Sequence, residues 1–306
     1  MSYIKPHWPY HVSAPYHNMF GAEHLLPRNA ADSELLDPNA VYKAFTETRG
    51  AKHFARDEVR ERVIPAYMGM IKQIDDHIGR LFSWLDDRNQ LEDTVIVFTS
   101  DHGDYLGDHW LSEKDFFHEE AIRVPLIVCD PSPEADSTRG TDESRFIELV
   151  DLAATFLDIA GGDPQPHKLE GHSLRPLLNG EEPEVWRNYV ISEVGYSGRE
   201  VRQILDIPSE LCRGYMIRDT RWKYIIWEGY PPQLFDLEND PKEIKDLGRD
   251  PDYQSVRQHW NAALFTWFRR RKTNTANSRE EIEFWTPDKE AGAGVFIGYW
   301  SENELK

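Results

Sequence analysis

Thr94-Val95-Ile96-Val97-Phe98-Thr99, running straight into Ser100-Asp101-His102-Gly103, decides the fold. The run is β-branched, apolar on both faces and too short for a globular helix, which predicts a strand buried at the centre of a parallel sheet. Val124-Pro125-Leu126-Ile127-Val128-Cys129 repeats the pattern, and the stretch between the two is long enough for a crossover connection. Upstream, over residues 57–88, Ile64, Tyr67, Ile71, Ile74, Ile78, Leu81 and Leu85 recur at helical spacing. Helix, strand, crossover and strand together predict an α/β sheet with helices on its faces.

Outward from that centre, prolines 6, 9, 15, 27 and 38 predict an irregular stretch over residues 1–56. Residues 146–150 read as a further strand. Asp151 stands where a cap would open a helix over 152–160, ended by Gly161-Gly162. Beyond Gly180 the texture changes. Residues 189–194, 214–218, 222–227 and 233–237 read as short strands, Asp219-Thr220-Arg221 as a tight hairpin connection, and 252–271 as an amphipathic helix. The expected organisation is an α/β domain over 1–185, a small antiparallel sheet with one helix over 186–272, and an arm over 273–306 that ends in an apolar strand.

Composition excludes several classes. The 306 residues carry 54 acidic against 35 basic side chains, a formal charge of −19, whereas nucleic-acid binders depend on Lys and Arg against phosphate. No apolar run approaches the roughly 18 residues of a membrane-spanning helix. The two cysteines, Cys129 and Cys212, supply neither a disulfide framework nor a Cys-rich zinc site, and Cys129 reads as a small hydrophobe inside its strand. Residues 1–10 contain prolines and polar groups where a signal peptide has its apolar stretch, so a cytoplasmic location is expected, with a periplasmic one open for a longer parent chain.

The chemistry concentrates where the first strand ends. Ligands of open α/β sheets bind outside the carboxyl ends of the strands, and Asp101 and His102 stand there side by side. A carboxylate oxygen and an imidazole nitrogen suit a divalent metal, and Gly103 lets the backbone turn so that both converge. Taken alone, the same pair also reads as a turn cap beside an incidental loop histidine.

The surroundings are more specific. Residues 99–109, followed by Lys114 and by Arg123-Val-Pro-Leu-Ile-Val128, resemble the C-terminal metal-site region of the sulfatase and phosphonate monoester hydrolase branch of the alkaline phosphatase superfamily. Tyr3-Ile-Lys-Pro-His7-Trp-Pro-Tyr10, Asp151-Leu-Ala-Ala-Thr155, Gly171-His-Ser-Leu-Arg-Pro-Leu-Leu178 and Leu234-Phe-Asp-Leu-Glu-Asn-Asp-Pro241 agree in order. The resemblance implies part of an alkaline-phosphatase-like sheet with flanking helices. An Asp-His pair is more similar to the phosphonate monoester hydrolases and related phosphodiesterases than to arylsulfatases, which commonly carry Asp-Asn. The closing Gly294-Val-Phe-Ile-Gly-Tyr-Trp300 looks like the terminal arm of the former, which implies a homotetramer.

The same resemblance implies one divalent ion, with manganese, calcium, zinc and magnesium left open, held partly by Asp101 and His102. It implies that Lys114 and His7 bind the oxygens of a small anionic ester, where a cation and cationic donors stabilise the charge of the transition state, and that His7 protonates the leaving alkoxide. Each has a plainer reading. Lys114, between Glu113 and Asp115, also reads as a solvated lysine, and His7 as packing in a proline-rich loop. His109 and His118 read as structural or as supporting the ligands from behind, with direct contact left open, and Arg269-Arg270-Arg271-Lys272 as a solvated helix end favoured by the dipole.

One element of the pattern is missing. The family nucleophile is a cysteine within Cys-x-Pro-Ser-Arg, converted to formylglycine, and these 306 residues contain no such segment. The expectation is the C-terminal part of a longer hydrolase, inactive alone. A non-catalytic assembly or binding module derived from such an enzyme, an arylsulfatase proper, and a hydrolase with a Ser or Thr nucleophile stay open as alternatives.

Overall fold

The computed structural model describes residues 1–271, 278 and 280–281. The chain divides into two compact units, one formed by Met1–Glu148 with Pro176–Arg269, the other by Leu149–Arg175 with Arg270–Lys306. The arm expected over 273–306 lies outside the described residues apart from three positions.

The stretch 1–56 is not irregular throughout. Asn39 accepts a hydrogen bond from the Val41 amide and opens helix α1, Ala40–Thr46, and Thr48 caps α2, Arg49–Phe54, through the Ala51 amide. Helix α3, Asp57–Asp86, follows the predicted stripe for 30 residues. Its buried positions, Arg60, Pro65, Gly69 and Met70, all lie in its first half. Gly69 is required there because a methyl group would meet the Tyr16 carbonyl oxygen at 2.5 Å.

Strands β1, Ile96–Thr99, and β2, Leu126–Cys129, form where they were expected, but their pairing is antiparallel, with Val97 opposite Val128 and Phe98 opposite Ile127. The intervening chain therefore returns through the short helix α4, Glu119–Ile122, and makes no crossover. Nor are the strands buried on both faces, since Phe98 is 40% and Ile127 62% exposed. Apolarity on both faces records what a strand is suited to pack against, and these two strands have only each other as sheet neighbours among the described residues. Cys129, read as a small interior hydrophobe, is exposed at the end of β2, while Cys212 is buried.

Residues 146–150 form no strand. The Phe146 carbonyl accepts from Trp186 Nε1 at 2.9 Å, and Leu149-Val150 make a turn into α5, Asp151–Ile159. Asp151 is the first helical residue, and its buried carboxylate accepts the His172 amide at 2.8 Å in place of capping the helix. Thr155 Oγ1 accepts the Leu174 amide at 2.9 Å, which fixes the returning loop, and Gly161 ends the helix with φ +69°. A one-turn helix α6, Arg175–Leu178, follows.

The remaining strands form one antiparallel meander: β3, Val190–Gly195; β4, Arg213–Arg218; β5, Trp222–Trp227; and β6, Tyr230–Asp236. Between β3 and β4 lies α7, Glu200–Leu205, and α8, Gln254–Arg270, follows the sheet. At the predicted hairpin, Asp219 Oδ1 accepts the Arg221 and Trp222 amides and holds the turn. Successive residues then go to opposite faces. Met216, Ile225 and Phe235 join Val41, Phe45, Phe116 and Phe117 in one core, while Ile217, Tyr224 and Leu234 join Leu247, Trp260 and Leu264 of the α8 side in another.

No helix among the described residues is long and apolar enough to cross a membrane. Because Leu264 is buried in the α8 core and Phe265 beside it is 60% exposed, the two test the packing by contrast. In urea titrations Leu264→Ala is expected to lose about 2–5 kcal/mol, and Phe265→Ala to stay within about 0.5 kcal/mol of the parent.

Candidate active site

The end of β1 is fastened before the chemistry begins. Thr99 Oγ1 donates to the Pro125 carbonyl at 2.8 Å, and Ser100 Oγ donates to the His102 carbonyl at 2.9 Å. Gly103 donates its amide to the Ala121 carbonyl at 2.8 Å, and a methyl group on Gly103 would overlap the Glu120 carbonyl oxygen. The need for glycine is thus the close approach of α4, and its φ is not among the positive ones. With the loop pressed onto α4, Asp101 and His102 stand together at its tip.

The four residues expected at the site converge. Asp101 Oδ2 lies 3.6 Å from His102 Nε2, with the Asp101 side chain 85% and the His102 ring 22% exposed. His102 Nδ1 faces the Gly103 carbonyl at 2.7 Å, so the ring proton sits on Nδ1 and donates there. That leaves the Nε2 lone pair to accept from the Lys114 ammonium at 2.7 Å. The His7 ring stands edge-on to His102, with ring centroids 5.7 Å apart and the planes at 74°.

Lys114 reaches the imidazole from a tightly wound loop. Tyr105 donates to the Glu113 carbonyl at 2.9 Å and Gly107 to the Leu111 carbonyl at 3.0 Å. Leu106, His109, Trp110, Glu113 and Asp115 all have positive φ in this loop, a strained conformation for such residues that clusters at functional loops. Of the acids flanking Lys114, Asp115 is paired to Arg199 at 2.6 Å.

The donor set fits a divalent cation in kind. A metal-bound histidine commonly donates its other ring N–H to a carbonyl, as His102 does to Gly103, and in this structure a cationic group already lies on its lone pair. Asp101 offers an exposed carboxylate beside it. Among the described residues no group of three or more His, Cys, Asp or Glu side chains is arranged to hold an ion.

Behind the loop lies a buried network around His109 and His118. His109 Nδ1 lies 2.7 Å from Glu34, and its other ring nitrogen faces Glu120 at 3.4 Å. Burial works against charge on His109, but the hydrogen bonds and charges of Glu120 and Glu34 outweigh it and hold its pKa up to about 9. Burial likewise works against the Glu120 carboxylate, and His109 with Asn29 brings it down to about 2. His118 stacks on His109 with centroids 3.8 Å apart, and burial, reinforced by the charges of His109 and Lys223, keeps it neutral.

Lys223 of β5 is fully buried and ties α4 to the large sheet. Its ammonium donates to the Phe117 carbonyl at 2.8 Å and pairs with Glu119 at 2.9 Å and Glu243 at 2.5 Å. The sequence does not single out Tyr10 and Asp104, which are joined by a 2.8 Å hydrogen bond next in the chain to the His7 and His102 segments. Their pairing spans 94 positions, and no local pattern signals it.

The sulfatase family model matches residues 1–162, and the N-sulphoglucosamine sulphohydrolase C-terminal model matches residues 107–269. The chain belongs to the sulfatase family. The multifunctional alkaline phosphatase superfamily protein PehA of Trinickia caryophylli is 32% identical over 284 residues, covering 87% of this chain and 54% of that protein. Among solved structures, the phosphonate monoester hydrolase of Agrobacterium radiobacter superposes with a TM-score of 0.77 at 30% identity, over 86% of this chain and 55% of the other. That of Silicibacter pomeroyi superposes with a TM-score of 0.81 at 27% identity, over 91% and 58%. The chain spans about half the length of the curated relatives it matches.

The His109–Glu120 pair makes stability depend on pH in a defined direction. His109, raised from 6.5 to about 9, stabilises fully below pH 6.5, and that contribution is lost as pH rises through 9. Glu120, lowered from 4.5 to about 2, stabilises above pH 4.5, and its contribution is lost as pH falls through 2. The expected melting temperature is therefore highest between these windows. His109→Gln should melt lower at about pH 6 and lose less than the parent between about pH 7 and 10, read by circular dichroism.

Proposed function

We propose that this chain supplies the metal- and anion-binding part of a hydrolase acting on small anionic esters, phosphonate monoesters or phosphodiesters, with sulfate esters as the other class. The observation that carries this reading is the convergence of Asp101, His102, Lys114 and His7 beyond the carboxyl end of β1. Family membership supports the reaction class, and solved structures named as phosphonate monoester hydrolases support the substrate class.

The side chains divide the work by their protonation. Lys114 brings a fixed positive charge that donates to an oxygen of the phosphoryl or sulfuryl group as negative charge grows there. His7 directs Nδ1 to the Trp8 carbonyl at 3.0 Å, which leaves Nε2, when protonated, to give its proton to the departing oxygen. His102 and Asp101 would hold part of the shell of a divalent ion, whether manganese, calcium, zinc or magnesium. When bound, such an ion neutralises the charge of the ester oxygens.

The nucleophile is not among these residues. Cys212 is buried and its thiol is pushed up by that burial, and Cys129 stands at the end of β2 away from a Cys-x-Pro-Ser-Arg context. The 306 residues alone therefore turn over no ester, and activity needs a polypeptide bearing formylglycine. The same proposal takes the working protein as a cytoplasmic homotetramer joined through residues 273–306.

The test is hydrolysis of an aryl phosphonate monoester, a bis-aryl phosphodiester and an aryl sulfate. The chain alone is expected to give none. Mixed with a polypeptide carrying formylglycine and a divalent ion, it should restore turnover, and Lys114→Ala should lower that rate about 10²–10³-fold. Robust turnover by the chain alone, abolished by Asp101→Ala, would overturn the proposal.

A further inference from the structure

Among the described residues, one hydrogen bond fastens the segment that carries His7 to the rest of the chain. Among the described residues, the side-chain hydrogen bonds of residues 1–9 are local: Tyr3 to Met1, Lys5 to the His7 and Pro9 carbonyls, and His7 to the Trp8 carbonyl. The backbone bonds of residues 1–12 are local too, His7 to Ile4 and His11 to Pro9. The exception is Tyr10, whose hydroxyl donates to Asp104 Oδ2 at 2.8 Å.

Both partners are well seated. The Tyr10 ring stands edge-on to Phe54 at 5.8 Å and lies against Tyr67 at 6.3 Å. The second oxygen of Asp104 accepts the Leu106 amide at 3.1 Å, where Leu106 enters the left-handed conformation that begins the Lys114 loop. Asp104 also follows His102 by two positions, so the bond joins the His7 segment to the loop that presents the other three site residues.

We propose that Tyr10 and Asp104 form a latch that docks the His7 segment against His102 and Lys114, which makes them positioning residues for the site. The proposal rests on the reading of that cluster as an active site. Without the latch, residues 1–9 keep ring contacts, such as Tyr3 on His77 at 6.1 Å, but no hydrogen bond beyond the segment among the described residues. Loss of a hydrogen bond to a charged acceptor shifts such a docking equilibrium by roughly tenfold or more.

Nuclear magnetic resonance of the full chain labelled in its histidines reads the docking directly. In the parent, a cross-peak between the rings of His7 and His102 is expected, assigned through His7→Gln and His102→Gln. Tyr10→Phe keeps the ring and removes only the donor. It should weaken that cross-peak while keeping the one between His109 and His118, which stack in the interior. Asp104→Ala should do the same, and Asp104→Asn, whose oxygen can accept the Leu106 amide while its NH2 donates to the Tyr10 hydroxyl oxygen, should keep the His7 cross-peak.

A full His7–His102 cross-peak in Tyr10→Phe overturns the latch. Loss of the His109–His118 cross-peak as well also overturns it, because Tyr10 would then support the fold as a whole. Inorganic phosphate separates this inference from the functional reading. It should shift the His7 and His102 signals of the parent, with about tenfold weaker affinity in Tyr10→Phe. No phosphate shift in a parent that shows the His7–His102 cross-peak would sink the reading as an active site and leave the docking intact.

Discussion

The ammonium of Lys223 ties the loop beyond β1 to the large sheet. It leaves β5 of the large sheet, is fully buried, and meets the Phe117 carbonyl and the carboxylates of Glu119 and Glu243. Arg218 of β4 pairs with the same Glu119 at 2.6 Å, and the Glu119 amide donates to Glu243 at 2.8 Å. Burial works against the charge of Glu119, and Lys223 with Arg218 keeps it below the usual carboxylate range. Removing one member of such a network leaves buried charge uncompensated, which costs more than the intact arrangement gains. Because Glu119 opens α4, and α4 supports Gly103, the site loop is positioned by a sheet that comes from the far part of the sequence.

Much of the fold was legible where local composition and tertiary use agree. The stripe of α3, the hairpin at Asp219 and the four short strands follow from patterns that read the same in isolation as in the folded chain. Reading failed where a pattern states a preference that neighbours decide. Val95 to Phe98 is composed for burial on both faces, yet Phe98 and Ile127 stay exposed because β1 and β2 pair only with each other among the described residues. Strand direction was likewise invisible, since chain length between two strands permits a crossover without requiring one. Helices α1 and α2 are only seven and six residues long, too short for periodicity to show against nearby prolines. Their caps, Asn39 and Thr48, were the available signal.

The site divides in the same way. Asp101 and His102 were legible because adjacent residues at a strand end share a location whatever the rest of the chain does. Their partnership with Lys114 and His7 came from resemblance, and the geometry places all four together. The tautomer of His102 was not readable, since it depends on a backbone carbonyl that faces Nδ1 only once Gly103 has turned. The charged His109 beneath a neutral His118 was equally hidden, because it depends on Glu34 and Glu120 arriving from different parts of the chain.

Gly103 has a consequence that reaches well beyond its own turn. Its missing side chain sets the clearance between loop and helix at less than the width of a methyl group, with the Glu120 carbonyl on the other side. The residue before Glu120 is the one that grips Lys223. One extra carbon at position 103 would act as a wedge, and the displacement would travel along α4 to the interior strand β5. Chemistry and scaffold in this chain thus share one mechanical tolerance, and a shift at either end is felt at the other.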